Sequence, residues 1–311
     1  MHPYFHIFSF QVPAYGFMIM LGILAAMVMG RFLRKHMVIT EDDYYSAVIW
    51  LLLSGLIGSK LLYWIVELDE IIKNPHFLIE TLTAGFVYYG AFLGAVLGIF
   101  IFTRIKKHSF LAYMDMLCPP ITLGQAIGRI GCFLAGCCYG APTDSACGVV
   151  FPANVGSSAP AGIPLIPTQL FESAFCLILS GFLVYVFLRE KRVGTSLGVY
   201  CILYSLWRFI IEFFRSDDRG TVGTLSTSQF ICIFIFLTGF ILLYMVYRKN
   251  LPLMQRYPAD EMVFEKNDSV DEPKEPDNGQ VQPVSEENSS DAETETPDHA
   301  VNTDAPEADR K

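Results

Sequence analysis

Gly85 to Thr103 reads GFVYYGAFLGAVLGIFIFT, without one charged side chain, and Arg104, Lys106 and Lys107 follow at once. An apolar run of about 18 or more residues suffices to cross the hydrocarbon core of a bilayer as a helix. The stretch therefore predicts a membrane span with a basic flank, and it sets how the rest of the chain is read. Outward from it, six further stretches of the same kind run roughly from Ala14 to Phe32, Tyr45 to Val66, Met114 to Ala135, Thr168 to Leu188, Leu197 to Phe214 and Gln229 to Tyr247. The expected fold class is all-α: a polytopic integral membrane protein of about seven transmembrane helices, with no internal repeat.

The averages over all 311 residues conceal this pattern, because 52% are apolar, 17% are charged and the formal net charge is −9. Residues 251–311 hold 5 Lys/Arg against 17 Asp/Glu, a net of −12, which leaves residues 1–250 with 17 against 14 and a net of +3. The expected organisation is a membrane domain over 1–250 and an acidic tail over 251–311. The tail's composition, rich in Glu, Asp, Pro, Ser and Thr, cannot bury enough apolar surface to fold, so it is expected to be disordered and without chemistry. The spans exclude a soluble enzyme. No nucleic-acid partner is expected, since the charge excess is acidic and no basic stripe interleaved with aromatics is present.

Basic residues alternate between loops. Arg31, Arg34 and Lys35 follow the first span, Arg104, Lys106 and Lys107 the third, Arg189, Lys191 and Arg192 the fifth, and Arg248 and Lys249 the seventh. Glu67, Asp69 and Glu70 follow the second, and no Lys or Arg lies between Ile130 and Leu188. Short basic loops stay cytoplasmic, so the amino terminus is expected outside and the tail in the cytoplasm. Met1 to Phe10 lacks a basic n-region, and the first span is expected to be retained.

Charged residues inside such segments are costly and usually face a cavity or one another. Asp115, Arg129, Glu172, Arg208, Glu212 and Lys60 are of this kind. Arg208 and Glu212 stand at i,i+4, where an ion pair forms on one helix face, either as a site element or as a lock between helices. Lys60 either joins a site or snorkels to the outer surface. In the fourth segment, Cys118-Pro119-Pro120 is expected to break the helix, and the glycines that follow permit close backbone approach. Gly128-Arg129-Ile130-Gly131 then reads as a pocket wall presenting a guanidinium, whose planar fork suits two phosphate oxygens.

The run Gly128-Arg129-Ile130-Gly131-Cys132-Phe133-Leu134-Ala135-Gly136-Cys137-Cys138-Tyr139-Gly140 resembles the signature of the bacterial prolipoprotein diacylglyceryl transferase family. Four other blocks match in the family's order: Tyr15-Gly16, Gly58-Ser59-Lys60-Leu61-Leu62-Tyr63, Pro167-Thr168-Gln169-Leu170-Phe171-Glu172-Ser173, and Arg208-Phe209-Ile210-Ile211-Glu212-Phe213-Phe214-Arg215. Asp115 stands where the family carries an Asp before its glycine-rich segment. The chain departs from the pattern at Tyr89-Gly90-Ala91, where the family has His-Gly-Gly, and at Cys132, Cys137 and Ile166, where it has Asn, an acidic residue and His.

The resemblance implies a divergent member that moves the diacylglyceryl group of phosphatidylglycerol onto the lipobox cysteine of a secreted prolipoprotein, with glycerol phosphate leaving. It implies the bilayer, the lipid and prolipoprotein signal peptides as partners, in the bacterial cell membrane. It also implies Arg129, Arg208, Tyr89 and Glu212 as the reacting set. The phosphate would fall to Arg129 and Arg208, with Lys60 as a third candidate and Glu212 orienting Arg208. Tyr15, Lys60, Tyr63, Asp115, Gln169, Glu172 and Arg215 are implied as substrate-binding. Tyr89 is either a base toward the acceptor thiol or a hydrogen-bond donor to the lipid, with a positive field favouring the thiolate. Two other readings stay open: a paralogue modifying another acceptor, and a phospholipid-binding or transport protein without chemistry.

The reaction demands no metal or nucleotide. Cys132, Cys137, Cys138 and Cys147 form a C-x4-C-C-x8-C group for which helix packing, a disulfide and a metal site all remain open, the last fitting the usual paired spacing poorly.

Overall fold

The structure, a computed structural model, describes residues 4–7, 10–82, 85–152, 157–216 and 221–248. The expected acidic tail lies outside the described residues. Nine α-helices are present among the described residues: α1 (Ala14–Arg34), α2 (Glu41–Val66), α3 (Leu68–Lys73), α4 (Phe77–Glu80), α5 (Tyr88–Ile105), α6 (Phe110–Ala135), α7 (Thr168–Arg189), α8 (Thr195–Ile211) and α9 (Thr227–Arg248). Three short antiparallel ribbons decorate the connections: β1 (Tyr4–Ile7) with β2 (Phe10–Pro13), β3 (Val149–Val150) with β4 (Pro164–Leu165), and β5 (Thr221–Val222) with β6 (Leu225–Ser226). These ribbons were not part of the all-α expectation, because strands of two to four residues leave too short a periodic trace in a sequence.

Six of the long helices, α1, α2, α5, α7, α8 with its following 3-10 turn (Glu212–Phe214), and α9, are long and apolar enough to cross a membrane. The seventh expected span, α6, has 26 residues, which rise about 39 Å. It is not among the six on composition. Its surroundings explain this, since α6 packs against α1, α5, α7 and α8 and so exchanges lipid for protein on much of its surface. A central helix can carry polar and small residues that a lipid-facing helix cannot.

The break expected at Pro119-Pro120 does not occur, and α6 runs unbroken from Phe110 to Ala135. The prolines lack N–H groups and deprive the preceding turn of two ladder bonds. Hydroxyls bond other carbonyls of the same turn: Thr122 Oγ1 donates to the Cys118 carbonyl at 2.7 Å, and Ser180 Oγ on α7 donates to the Pro119 carbonyl at 2.8 Å, which ties α7 to the proline segment. Both prolines are buried, so neighbouring helices hold the segment straight.

Hydropathy also misplaces helix starts, because capping turns are polar. α2 begins at Glu41, where Thr40 Oγ1 accepts from the Asp43 N–H at 3.1 Å, and α6 begins after Ser109, whose Oγ accepts from the Ala112 N–H at 3.4 Å. α5 begins at Tyr88 rather than Gly85, since Gly85 has φ +73° and cannot lie in a right-handed helix. α2 and α5 pack closely at Gly58, where a Cβ would strike the Gly90 carbonyl and come within 2.7 Å of the Gly94 Cα. That contact sets the height of the first turn of α5, which carries Tyr89.

Candidate active site

Helices that alternate in direction bring the ends of α2, α6 and α8 to the same face as the starts of α1, α5, α7 and α9. Five side chains from three of the sequence blocks meet there. Arg129 Nη2 on α6 lies 2.7 Å from Glu172 Oε1 on α7. Arg208 Nη1 at the end of α8 lies 2.6 Å from Glu212 Oε2 in the 3-10 turn. Arg215 links the two pairs, with Nη1 3.7 Å from Glu172 Oε2 and Nε 3.9 Å from Glu212 Oε2. Glu172 is fully buried, and the Arg215 side chain is 2% exposed.

Among the described residues the cluster brings three guanidinium groups against two carboxylates. Such a network is stable only while its members stay paired, because an isolated buried charge costs several kcal/mol. Arg208 Nη1 is paired by charge yet makes no well-directed hydrogen bond among the described residues. That N–H capacity can meet an incoming oxyanion.

The rim adds hydroxyls. Arg208 Nη2 donates to Ser228 Oγ at 3.3 Å, and Ser228 Oγ shares a hydrogen bond of 3.2 Å with the Tyr89 hydroxyl. Ser226 Oγ donates to Glu212 Oε1 at 2.8 Å. Ser226 and Gln229 also cap α9 reciprocally: the Gln229 N–H donates to Ser226 Oγ and the Ser226 N–H to Gln229 Oε1, both at 3.1 Å. Below the charged end, α1, α2 and α6 enclose an apolar cavity of about 190 Å³ lined by Ile19, Gly22, Leu52, Pro120, Ile121 and Gly124 among others. Gly124 precedes Arg129 on α6 by about 7 Å of helix rise.

Residues 3–245 match the family model for prolipoprotein diacylglyceryl transferase. The chain belongs to that family. Among similar proteins, the phosphatidylglycerol–prolipoprotein diacylglyceryl transferase 2 of Clostridium perfringens is 45% identical over 238 residues, 76% of this chain and 91% of the relative. The phosphatidylglycerol–prolipoprotein diacylglyceryl transferase of Clostridium tetani is 40% identical over 235 residues, 76% and 93% of the two chains. The enzyme of the same name from Dehalococcoides mccartyi is 35% identical over 221 residues, 70% and 84%.

In this member of the diacylglyceryl transferase family, the candidate residues divide into three groups. Arg129, Glu172, Arg208, Glu212 and Arg215 form the ion cluster, and Tyr89 joins it through Ser228. Gln169 and Tyr15 stand beside it as supports rather than in it. Gln169 is fully buried and donates from Nε2 to the Cys137 carbonyl at 2.7 Å, while Tyr15 lies against Gly131, where an added Cβ would come within 3.4 Å of its ring.

Lys60, Tyr63 and Asp115 are occupied elsewhere. Lys60 Nζ donates to the carbonyls of Thr81 and, at 3.3 Å, of Gly85, and it sits over the rings of Tyr63, Trp64 and Phe86 at 4.9–5.4 Å from their centroids. The pair thus ties α2 to the arm that leads into α5. Asp115 lies at the opposite end of α6, about 21 Å of helix rise from Arg129. It is fully buried and accepts from the Gly194 N–H at 2.6 Å and the Leu197 N–H at 2.8 Å, so it caps the start of α8.

Sequence reasoning missed Ser226, Ser228 and Gln125. Gln125 Nε2 donates to the Tyr88 hydroxyl at 3.4 Å, and its Oε1 accepts from the Tyr200 hydroxyl at 3.3 Å. The Ser-x-x-Gln box at 226–229 was a usable signal, since it marks a helix start at the level of the other site residues. Gln125, an amide within an apolar segment, was another.

Proposed function

We propose that this protein transfers the diacylglyceryl group of phosphatidylglycerol to the lipobox cysteine thiol of secreted prolipoproteins, the first step of lipoprotein maturation. The observation that carries the reading is the cluster in which Arg129, Arg208 and Arg215 meet Glu172 and Glu212, in a chain of this family. A phosphodiester bears one negative charge, and guanidinium groups pair with its oxygens through charge-assisted hydrogen bonds. The apolar cavity between α1, α2 and α6, on another face of α6, would suit part of an acyl chain.

In the reaction the acceptor sulfur attacks the glycerol carbon, forming a C–S bond as the C–O bond to phosphate breaks. The electron pair departs with glycerol phosphate, and the thiol proton is lost to solvent or to the leaving phosphate. Arg129 and Arg208 would hold the phosphate as charge builds on it, which is where donors fixed in a water-poor site act most strongly. Glu172, Glu212 and Arg215 keep those two guanidinium groups in place. Tyr89 reaches the site through Ser228 and serves as a hydrogen-bond donor, while the positive field favours the acceptor thiolate. The chemistry requires no cofactor.

In this reading the site faces the outside of the bacterial cell membrane, with the tail cytoplasmic. Basic residues close α1, α5, α7 and α9 at the opposite end, which supports that orientation. Expression in a strain depleted of its own transferase tests the reading. Lipid-modified precursors should reappear with the wild type and not with Arg129→Ala. A well-expressed, folded wild type that restores none would refute it.

A further inference from the structure

The turn that follows α6 gathers three of the eight cysteines. The Sγ atoms of Cys132, Cys137 and Cys138 all lie within 4.8 Å of one another, with Cys132 buried and the other two half-buried. Cys147, the fourth thiol of the sequence group, is exposed and not among them. The packing of small residues does not require sulfur atoms to converge, and a disulfide would use only two of them.

The backbone is built to bring them together. α6 ends in a Schellman motif: Gly136 takes φ +68°, its N–H bonds the Phe133 carbonyl at 3.2 Å, and the Cys137 N–H bonds the Cys132 carbonyl at 3.1 Å. Two residues later Cys138 takes φ +62°, one of two non-glycine residues with positive φ among the described residues. That conformation is costly for a residue with a Cβ and marks a constrained turn. The first turn of α7 pins the result, as Gln169 Nε2 donates to the Cys137 carbonyl at 2.7 Å and Thr168 Oγ1 to the Cys138 carbonyl at 2.9 Å.

We propose that Cys132, Cys137 and Cys138 form a three-thiolate site for one thiophilic divalent cation, of which zinc is the type. Zinc–sulfur bonds of about 2.3 Å place three sulfurs about 3.8–4.0 Å apart, so each thiol would move inward by less than about 1 Å. Soft thiolate ligands select zinc or copper(I) over magnesium or calcium. The site is independent of the transferase reading: it stands on the turn alone, and its test does not use activity.

The probe is cobalt(II), added to the full-length protein in detergent after reduction and chelator treatment, with zinc(II) as competitor. The expected result is a thiolate-to-cobalt charge-transfer band that saturates at one equivalent and is abolished by zinc. Cys132→Ser, Cys137→Ser and Cys138→Ser should each weaken binding by at least about tenfold, while Cys147→Ser leaves it unchanged. Maleimide labelling of the unmutated protein supplies a readout that needs no variant: zinc should protect Cys137 and Cys138 and leave Cys147 reactive. Absence of the band from the reduced protein, its survival when all three cysteines are serine, or equal labelling with and without zinc would overturn the proposal.

Discussion

Glu172 holds two arginines at once, and replacing it separates pairing from burial. Glu172→Gln leaves Arg129 and Arg215 buried with too little counter-charge, a loss of roughly 3–5 kcal/mol by the behaviour of broken buried pairs. Thermal unfolding in detergent should show a clear fall in the transition temperature. Tyr89 calls for the opposite expectation. Its hydroxyl contributes one hydrogen bond, of about 0.5–1.5 kcal/mol, so Tyr89→Phe should keep activity within roughly tenfold of the wild type. A general base contributes about 10²–10⁴, and a loss of that size in an assay with phosphatidylglycerol and a lipobox peptide would reassign Tyr89 to proton transfer. At this scale the charged residues were legible in the sequence, because Arg and Glu within apolar segments have few reasons to exist. What could not be read was which of them meet: Lys60 and Asp115 carry the same signal as Arg129, yet one is caged by aromatic rings and the other caps a helix.

Helices rather than side chains fix where those groups stand. α8 carries Arg208 at its end and is capped at its start by Asp115, so the cap and the site share one rod. Asp115→Ala removes that cap at a cost of about 0.5–2 kcal/mol, and it should lower the unfolding temperature while leaving the turnover of the folded enzyme largely intact. Turnover lost in proportion beyond any loss of folded protein would return Asp115 to the site. Gly58 makes a complementary case, since a side chain there collides with the Gly90 carbonyl. Gly58→Val should force α2 from α5, at a cost of about 1–3 kcal/mol, and displace Tyr89 with the first turn of α5. The positions and order of the long helices were legible from hydropathy, although α6, the fourth expected span, is not among the six apolar enough to cross a membrane on composition. The continuity of α6 was not, because a proline's effect depends on the helices around it, and here Ser180 of α7 bonds the Pro119 carbonyl.

Across the whole molecule, reversal of direction at each connection brings the chemistry to one end of the bundle and leaves the basic helix termini at the other. The −9 of the full sequence therefore says little about the site, which gathers three arginines and two glutamates. The family match stops at residue 245, and the acidic residues 251–311 lie beyond it. A chain ended at Asn250 should retain the specific activity of the full protein in lipid vesicles, and a large drop would give the tail a role in catalysis. The central claim is that Arg129 and its partners hold the phosphate of a phospholipid while a cysteine thiol displaces it. Its most direct test incubates the purified protein with phosphatidylglycerol vesicles and a lipobox peptide and follows the peptide mass and the release of glycerol phosphate. The wild type should add one diacylglyceryl group to the cysteine peptide, release one glycerol phosphate with it, and leave the Cys→Ser peptide untouched. Arg129→Ala should slow that transfer by at least about 100-fold, the order expected for one lost oxyanion donor. Equal rates for the folded Arg129→Ala variant and the wild type would contradict the account.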